Sequence, residues 1–245
     1  MKKLLNGLNI TYRYTKQGEK VVLLLHGWGG SLNSFRSLES FLISNNFSVI
    51  TLDFPGFGGS EQPAENFDLW DYKKIVVELL QAENIKKASI VAHSFGGRVT
   101  FLLASEHPEL VDKLVLCDVA GIKPKFNLAK QCKILKYKFL KKLQAKGIYK
   151  KDLLSYGSDD YRAMPENLKP VFNRIIKTDL TGKLSNIVAP TLIIWGKNDK
   201  DTPFYMAKKI NKKIKDSAII AFEGGHFCYL DNSDKFNLIV DNFLK

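Results

Sequence analysis

The stretch Ala88-Ser-Ile-Val-Ala-His-Ser94-Phe-Gly-Gly97 carries the strongest structural signal in this sequence of 245 residues. An apolar strand pattern ends at a serine, and a helical pattern begins directly after it. A serine in such a turn, with small residues two positions before and after it, is held at a sharp bend that exposes its hydroxyl. Small neighbours are required there because other backbone passes close by. The stretch therefore predicts a strand, a strained turn at Ser94 and a helix.

Outward from this stretch, short apolar runs alternate with amphipathic stretches. Such runs are typical of strands that are buried on both faces, and strands that alternate with helices predict a mostly parallel sheet between two helical layers. An Asn6-Gly7 turn adds an opening hairpin, so we expect an α/β fold with eight strands and helices on both faces. The predicted strands after the turn cover residues 8–15, 21–25, 48–52, 88–92, 114–117, 191–195 and 218–222, and the predicted helices cover residues 33–45, 69–83, 97–107, 204–214 and 233–244.

Residues 122–184 interrupt this alternation, because no strand pattern lies between the sixth and seventh predicted strands. An amphipathic helix is predicted at the start of this segment, with lysines on its other face. We expect a helical cap, or lid, over the carboxyl edge of the sheet, where open α/β sheets bind ligands. The predicted core domain therefore consists of residues 1–121 and 185–245. The apolar residues at helical spacing in the cap are Leu128, Cys132, Leu135, Phe139 and Leu143.

The net charge of +12 is concentrated in the predicted cap. Residues 121–184 carry a net charge of +11, whereas residues 1–120 carry −1 and residues 185–245 carry +2. A nucleic-acid-binding domain usually spreads its basic residues over a recognised fold, so nucleic acid is not an expected partner. A solvated, lysine-rich surface is the simplest interpretation. The alternative is a field that attracts anionic substrates or anionic lipid.

Composition excludes several other classes of protein. Apolar residues make up 45% and charged residues 25% of the chain, as in soluble globular proteins. The longest apolar run, Val21–Leu25, is far shorter than the roughly 20 residues that span a bilayer. Lys2 and Lys3 are reminiscent of a signal peptide, but Asn6 and Gly7 end the apolar stretch that follows, so we expect no export signal and a cytoplasmic location.

The cysteines and histidines do not indicate a metal site. Three cysteines without paired spacing predict neither a disulfide framework nor a zinc site. The histidines show no His-Glu-x-x-His spacing, so no metal is expected. These residues are Cys117, Cys132 and Cys228, and His26, His93, His107 and His226.

A serine hydroxyl becomes a useful nucleophile only when a base takes its proton, and that base needs an acid to orient it. Two later loops supply such groups after predicted strands: Trp195-Gly-Lys-Asn-Asp199 and Gly224-Gly-His226. The order serine, acid, histidine is the one expected for a serine turn of this kind. Asp118, which ends the sixth strand, and Asp201 compete with Asp199 for the role of the acid.

Two further motifs complete a resemblance. His26-Gly-Trp28-Gly-Gly30 follows the third predicted strand, and Asp53-Phe-Pro-Gly-Phe-Gly-Gly-Ser60 follows the fourth. Together with the serine turn and the two later loops, they resemble the α/β-hydrolase superfamily over nearly the whole chain. This resemblance implies the α/β-hydrolase fold and a serine hydrolase that needs no cofactor.

The resemblance also assigns roles to residues. It implies the catalytic triad Ser94, Asp199 and His226, with an oxyanion hole formed by the backbone N–H groups of Trp28 and Phe95. In some relatives the acid follows the sixth strand, so Asp118 remains an alternative candidate for the acid.

Three buried polar residues are expected to serve the structure. We expect the side chain of His93 to point away from the serine hydroxyl and His26 to brace its own loop. Asp53 should accept hydrogen bonds within its own turn.

The predicted activity is the cleavage of a carboxylic ester or a related acyl bond through an acyl-enzyme, as in a carboxylesterase. A serine at the turn argues against the dehalogenases and epoxide hydrolases of this superfamily, which use an aspartate there. The alternatives are a carbon–carbon bond hydrolase of aromatic degradation, a peripheral lipase-like enzyme and a non-catalytic ligand-binding protein. The expected partner is a small-molecule ester or acyl compound, with an anionic one favoured by the basic cap, and any membrane association is expected to be weak.

Overall fold

The computed structural model describes residues 1–125, 128–149, 161 and 164–245, and it gives the backbone alone for residues 129–131, 133 and 134. Within this part of the chain, eight strands form one sheet in the order β1-β2-β4-β3-β5-β6-β7-β8. The pairs β1–β2 and β2–β4 are antiparallel, and the remaining pairs are parallel. The strands are β1 (Lys2–Leu5), β2 (Leu8–Thr15), β3 (Val21–Leu25), β4 (Ser48–Leu52), β5 (Ala88–His93), β6 (Val111–Cys117), β7 (Thr191–Gly196) and β8 (Ser217–Phe222).

The described helices lie between and after these strands. The predicted α/β fold with a mostly parallel eight-stranded sheet is confirmed, and the helix that follows Ser94 begins two residues earlier than predicted. The helices are α1 (Arg36–Ser44), α2 (Leu69–Ala82), α3 (Phe95–Glu106), α4 (Leu128–Ala145), α5 (Leu168–Lys177), α6 (Tyr205–Lys213), α7 (Cys228–Asp231) and α8 (Ser233–Leu244).

The sheet separates two apolar layers. Successive side chains of a strand point to opposite faces, and in β3 Leu23 and Leu25 join one layer while Val22 and Leu24 join the other. The first layer includes side chains of α2, α3, α5 and α6, and the second includes side chains of α1 and α8. Continuous apolar runs therefore fit this sheet, since both faces of each central strand are covered.

Parallel pairing brings the carboxyl ends of the central strands to one edge of the sheet. His93 at the end of β5 pairs with Cys117 of β6, and Cys117 pairs with Ile194 of β7. Gly196 at the end of β7 pairs with Phe222 of β8. The loops that follow these strands, which carry the predicted site residues, therefore start side by side.

Helices α4 and α5 lie in the segment between β6 and β7, where a cap is predicted. Val171 and Ile175 of α5 join the apolar layer that contains α3, and the Leu180 N–H donates to the Gly121 carbonyl at 2.9 Å. Helix α5 is thus fastened to the rest of the protein. The cap boundaries at residues 122 and 184 stay predictions, and residues 126–127, 150–160 and 162–163 of this segment lie outside the described residues.

Across the described ranges, every helix is too short or too polar to span a bilayer.

Helix α3 packs very closely on its neighbours at its first turn. A Cβ atom on Gly96 would lie 2.3 Å from the carbonyl oxygen of Leu25, and one on Gly97 would lie 2.2 Å from the Cβ of Val119. Side chains at these two positions would push the helix away from the sheet. The two glycines therefore determine how closely the first turn of α3 approaches the sheet.

Gly96→Ala should lower the free energy of unfolding by about 1–3 kcal/mol, because the added methyl group meets backbone that cannot rotate away. Urea denaturation of the two proteins measures this difference. Gly182→Ala is the matched control, since a Cβ there has no described heavy atom within 4 Å. Equal stability of the Gly96 and Gly182 variants would contradict the packing described here.

Candidate active site

Ser94 is the single residue between strand β5 and helix α3, and its backbone is strained. Its φ of +46° and ψ of −109° lie in a region that residues other than glycine rarely adopt. The Ser94 N–H donates to the Cys117 carbonyl at 3.2 Å, and the Ser94 carbonyl accepts the N–H groups of Gly97 and Ala120 at 3.1 and 2.9 Å. These bonds hold the predicted turn and leave the hydroxyl at the carboxyl edge of the sheet.

The three side chains predicted as a triad lie in one hydrogen-bonded row. His226 Nε2 lies 2.9 Å from Ser94 Oγ, and His226 Nδ1 lies 2.8 Å from Asp199 Oδ2. The imidazole therefore carries its proton on Nδ1 when it is neutral, which leaves Nε2 free to accept the serine proton. The loops that carry His226 and Asp199 touch through backbone, because a Cβ on Gly196 would lie 2.1 Å from the Gly225 carbonyl oxygen.

Asp199 is held by its own loop. Its Oδ1 accepts the N–H groups of Asp201 and Thr202 at 2.8 and 2.9 Å, and its Oδ2 accepts the Thr202 hydroxyl at 2.6 Å. Trp195 Nε1 donates to the Thr202 carbonyl at 2.7 Å and fixes that residue in turn. The sequence analysis did not identify Thr202 as part of the candidate site. An aspartate followed three residues later by threonine is the local signal, since such side chains bond nearby backbone.

These contacts shift the pKa values of the pair in opposite directions. Burial favours neutral His226, but the hydrogen bond and charge of Asp199 outweigh it, and the pKa of His226 is raised. Burial favours protonated Asp199, but hydrogen bonds from His226 and Thr202 outweigh it, and the pKa of Asp199 is lowered. The site therefore favours an imidazolium next to a carboxylate, as a base that accepts a serine proton requires.

The competing aspartates occupy different positions. The buried Asp118 carboxylate accepts the Gly196 N–H at 2.8 Å and the Cys228 thiol at 3.0 Å, and burial raises the pKa of Asp118 to about 7. Among its hydrogen bonds in the described chain, none reaches His226. Asp201 is exposed and contributes its backbone N–H to Asp199. The structure thus brings Asp199, and not Asp118, to the imidazole.

One group of side chains in the described chain has the spacing to hold a metal ion. The possible ligand atoms of Asp199, Asp201 and His226 all lie within 4.8 Å of one another. A metal bound by all three would compete with the hydrogen bond between His226 and Asp199, because a coordinating imidazole nitrogen must give up its proton.

The loop that contains Trp28 passes directly over the serine. A Cβ on Gly27 would lie 3.2 Å from the Cβ of Ser94 and 2.7 Å from His93 Nδ1. The Trp28 ring packs against Phe95 with the ring centroids 5.2 Å apart. Among the described residues, the backbone N–H groups of Trp28 and Phe95 donate no hydrogen bond to protein atoms. Both donors are thus available beside Ser94.

Two buried groups brace this loop. His26 Nδ1 donates to the Gly27 carbonyl at 2.7 Å, and the Phe54 N–H donates to His26 Nε2 at 3.0 Å. Burial lowers the pKa of His26 to about 4, which keeps the ring neutral for this pair of bonds. Asp53 accepts the N–H of Gly59 in its own turn at 2.8 Å and that of Leu32 at 2.6 Å. It therefore ties its turn to the neighbouring loop, which the sequence did not indicate.

His93 holds the loop that carries His226. Its Nε2 donates to the His226 carbonyl at 2.8 Å, and the centroids of the two rings are 4.8 Å apart. Burial, together with the nearby His226, lowers the pKa of His93 to about 3, so the ring is a neutral donor. The side chain thus holds the main chain of His226, and His93 also lines the cavity next to Ser94.

A cavity of about 520 Å³ opens over the serine. A volume of this size suits a small organic ligand. Ser94 and His226 line it, together with Trp28 and with Phe172 and Ile176 of α5. Its lining therefore combines mainly apolar side chains with Ser94 and His226.

One charged side chain in the cavity wall was not indicated by any motif. Arg98 Nη1 donates to the carbonyls of Ile175 and Thr178 at 3.1 and 3.0 Å, which fastens the end of α5 to α3. Burial lowers the pKa of Arg98 to about 10, so it remains charged at neutral pH. No carboxylate of the described residues lies within ion-pair distance of it. The Arg98 guanidinium therefore places a positive charge in the cavity wall, hydrogen-bonded to main-chain carbonyls and stabilised by the nearby charge of Asp179.

Comparisons with known proteins agree with this architecture. A family model described as "alpha/beta hydrolase fold" matches residues 20–144. A curated 2-hydroxy-6-oxononadienedioate/2-hydroxy-6-oxononatrienedioate hydrolase from Pseudomonas putida is 27% identical, over 97% of this chain and 92% of its own length. An esterase from Exiguobacterium antarcticum has a similar structure, with a TM-score of 0.80 and 21% identity over 99% of this chain and 98% of that one. A meta-cleavage product hydrolase from Pseudomonas fluorescens gives a TM-score of 0.76 and 22% identity, over 99% and 96%.

Asp199→Asn should lower the pKa of His226, because the variant removes the charge and the hydrogen bond that raise it. Asp118→Asn should change that pKa much less, since the Asp118 carboxylate bonds Gly196 and Cys228 instead. NMR titration of the histidine rings measures both effects, with His226→Gln used to assign the signal. If the Asp118 variant produced the larger fall, Asp118 would be the partner of the imidazole.

Proposed function

Because the chain belongs to the α/β-hydrolase family, we propose that it is a serine hydrolase that cleaves a carboxylic ester or a related acyl bond of a small molecule. The observation that carries the proposal is the row of hydrogen bonds from Ser94 Oγ through His226 to Asp199, at 2.9 and 2.8 Å. Ser94 and His226 of this row line a mainly apolar cavity. Two unengaged backbone donors beside the serine add to it.

In the proposed reaction, Ser94 Oγ attacks the carbonyl carbon while His226 Nε2 takes the hydroxyl proton. Asp199 stabilises the imidazolium that forms. The backbone N–H groups of Trp28 and Phe95 stabilise the negative charge on the substrate oxygen, and one such donor is worth about 3–4 kcal/mol. His226 then gives its proton to the leaving group. Water attacks the acyl-enzyme with His226 again as the base, so each step uses only this chain and water.

A carbon–carbon bond hydrolase is the second candidate, and two observations favour it. The Pseudomonas putida relative is named for a dioate substrate, and the cavity of this chain carries the Arg98 charge. Cleavage of such a bond next to a carbonyl would use the same triad and the same oxyanion donors. The two candidates differ in the leaving group, which is an alcohol in one case and a carbon acid in the other.

Arg98 gives both candidates a preferred class of substrate. It lies four residues after Ser94, about one helical turn along α3, and lines the same cavity. Nη1 bonds neutral carbonyls, and Asp179 acts on Arg98 through its charge without forming an ion pair, so the guanidinium can still pair with a ligand carboxylate. A substrate whose acyl part ends in a carboxylate would therefore be bound better than its neutral analogue.

We further propose a cytoplasmic location, for which the unpaired thiols are the support. Cys117, Cys132 and Cys228 are free cysteines, and free thiols persist in a reducing compartment.

A fluorophosphonate probe should modify Ser94 alone, because the base lies next to that hydroxyl. Ser94→Ala should abolish labelling and lower kcat by about 10³-fold or more. Hydrolysis of p-nitrophenyl esters of increasing acyl length and of the dioate substrate named for the relative provides the assay. Labelling elsewhere, or undiminished turnover in the variant, would exclude the mechanism. A protein that only binds ligands would show neither labelling nor turnover.

The same assay separates the two aspartates. Asp199→Asn should lower kcat by about 10³ to 10⁴-fold, because the wrong imidazole tautomer is favoured. Asp118→Asn serves as the matched variant and should lose much less.

Arg98→Gln should lower kcat/KM for a carboxylate-bearing ester about tenfold or more, relative to the same ester with its carboxylate methylated. The ratio of the two substrates is the measurement, and Arg98→Lys should restore part of it. Arg174→Gln is the control, because exposed Arg174 of α5 bonds the Phe67 carbonyl at 3.4 Å without lining the cavity. A loss of α5 anchoring would lower kcat/KM equally for both substrates. If Arg98→Gln had that effect, the charge would not select substrates.

A further inference from the structure

Helix α4 exposes its apolar stripe instead of burying it. The exposed fractions are 68% for Leu128, 64% for Leu135 and 62% for Phe139, and Cys132 on the same stripe is also exposed. Spacings of four, three and four residues place these side chains on one face of the helix. An amphipathic helix of a globular protein ordinarily turns this face toward the core. This face is therefore available to contact apolar groups outside the protein.

The apolar stripe of helix α4 is exposed at its first four positions, whereas Leu143 at its end is partly buried. Tyr137 and Leu140 are partly buried, and at 3.6 residues per turn they project from a different face than Leu135 and Phe139. The partly buried side chains Tyr137 and Leu140 thus lie on a different face of α4 from the exposed part of the apolar stripe.

Exposed lysines border the stripe on both sides. At 3.6 residues per turn, Lys136 lies on one side of it, and Lys138 and Lys142 lie on the other. All three are exposed. The sequence contains no acidic residue from residue 122 to residue 151, so no negative charge of this stretch offsets them. The face therefore joins apolar side chains to a positive rim.

We propose that this face of α4 docks the protein on the surface of an anionic phospholipid bilayer. Apolar side chains would enter the boundary between headgroups and acyl chains, and the lysines would meet the anionic headgroups. Charge selects this occupant over a second copy of the chain, because two such faces would bring lysines of the same sign together. The proposal is independent of the chemistry at Ser94 and concerns where that chemistry takes place.

Flotation of the full-length protein with lipid vesicles tests the proposal. The protein should bind vesicles that contain phosphatidylglycerol and bind phosphatidylcholine vesicles much more weakly. Added salt should weaken the binding, since the attraction between exposed charges is screened. Absence of binding to the anionic vesicles at low salt would overturn the proposal.

Variants of the face separate its two components. Replacing Lys136, Lys138 and Lys142 with Gln should weaken binding to anionic vesicles about a hundredfold. Replacing Leu135 and Phe139 with Ser should weaken it by at least tenfold. These side chains are exposed, so thermal melts of the variants should match the original protein.

Matched controls carry the same changes elsewhere. Lys212, Lys213 and Lys215 are exposed on and beyond the end of α6, and their replacement with Gln removes the same charge. Val188→Ser with Leu238→Ser removes apolar side chains that are 69% and 54% exposed. Equal losses in these controls would show that binding depends on the net charge or on exposed apolar surface in general, and would overturn the proposal. A dimer in solution that the Leu135 and Phe139 variant dissociates would do the same, because a second copy would then cover the face.

Discussion

A strand and a helix can follow one another without a loop only if a single residue turns the chain between them, and Ser94 is that residue. A φ of +46° costs about 1–3 kcal/mol for a residue other than glycine, so surrounding contacts must hold it. The Ser94 main chain is hydrogen-bonded to the end of β6 and to the loop that follows it. Because Gly27 and Gly96 have no side chains, the loop after β3 can approach Ser94 and the first turn of α3 can approach the end of β3. Every other part of the site is placed relative to this turn.

The groups around the turn are held before any substrate arrives. The imidazole of His226 is fixed by Asp199 at Nδ1, and its main chain is fixed by His93. The buried side-chain atoms without a hydrogen-bond partner in the described chain belong to Thr11, Thr51 and Asp241, and none of these residues lines the cavity. In a site of low dielectric, such satisfied donors and acceptors keep their orientation, which lowers the reorganisation that a reaction requires.

Much of this could be predicted from the sequence, because strands buried on both faces are continuous apolar runs and the triad groups follow such runs directly. Helix α5 was not predicted: Leu168, Val171 and Ile175 have helical spacing, but Pro170 among them suggests a break. The place of Arg98 in the cavity depends on where α5 packs, which no local pattern contains. The apolar stripe of α4 was predicted, but its exposure at the protein surface was not. Periodicity shows that one face is apolar and says nothing about what lies opposite.

Asp118 gives the sheet a second carboxyl group at the end of a neighbouring strand. The Thr202 hydroxyl, 2.6 Å from Asp199 Oδ2 and 3.3 Å from His226 Nδ1, is also 3.0 Å from the Asp118 main-chain oxygen, so the main chain of Asp118 lies close to the carboxylate of Asp199. The serine depends on a particular backbone turn, whereas the two aspartates follow the neighbouring strands β6 and β7. In evolutionary terms, a lineage that lost the carboxylate at position 199 would still hold one a single strand away, but that carboxylate would first have to leave the Gly196 N–H and the Cys228 thiol that it bonds.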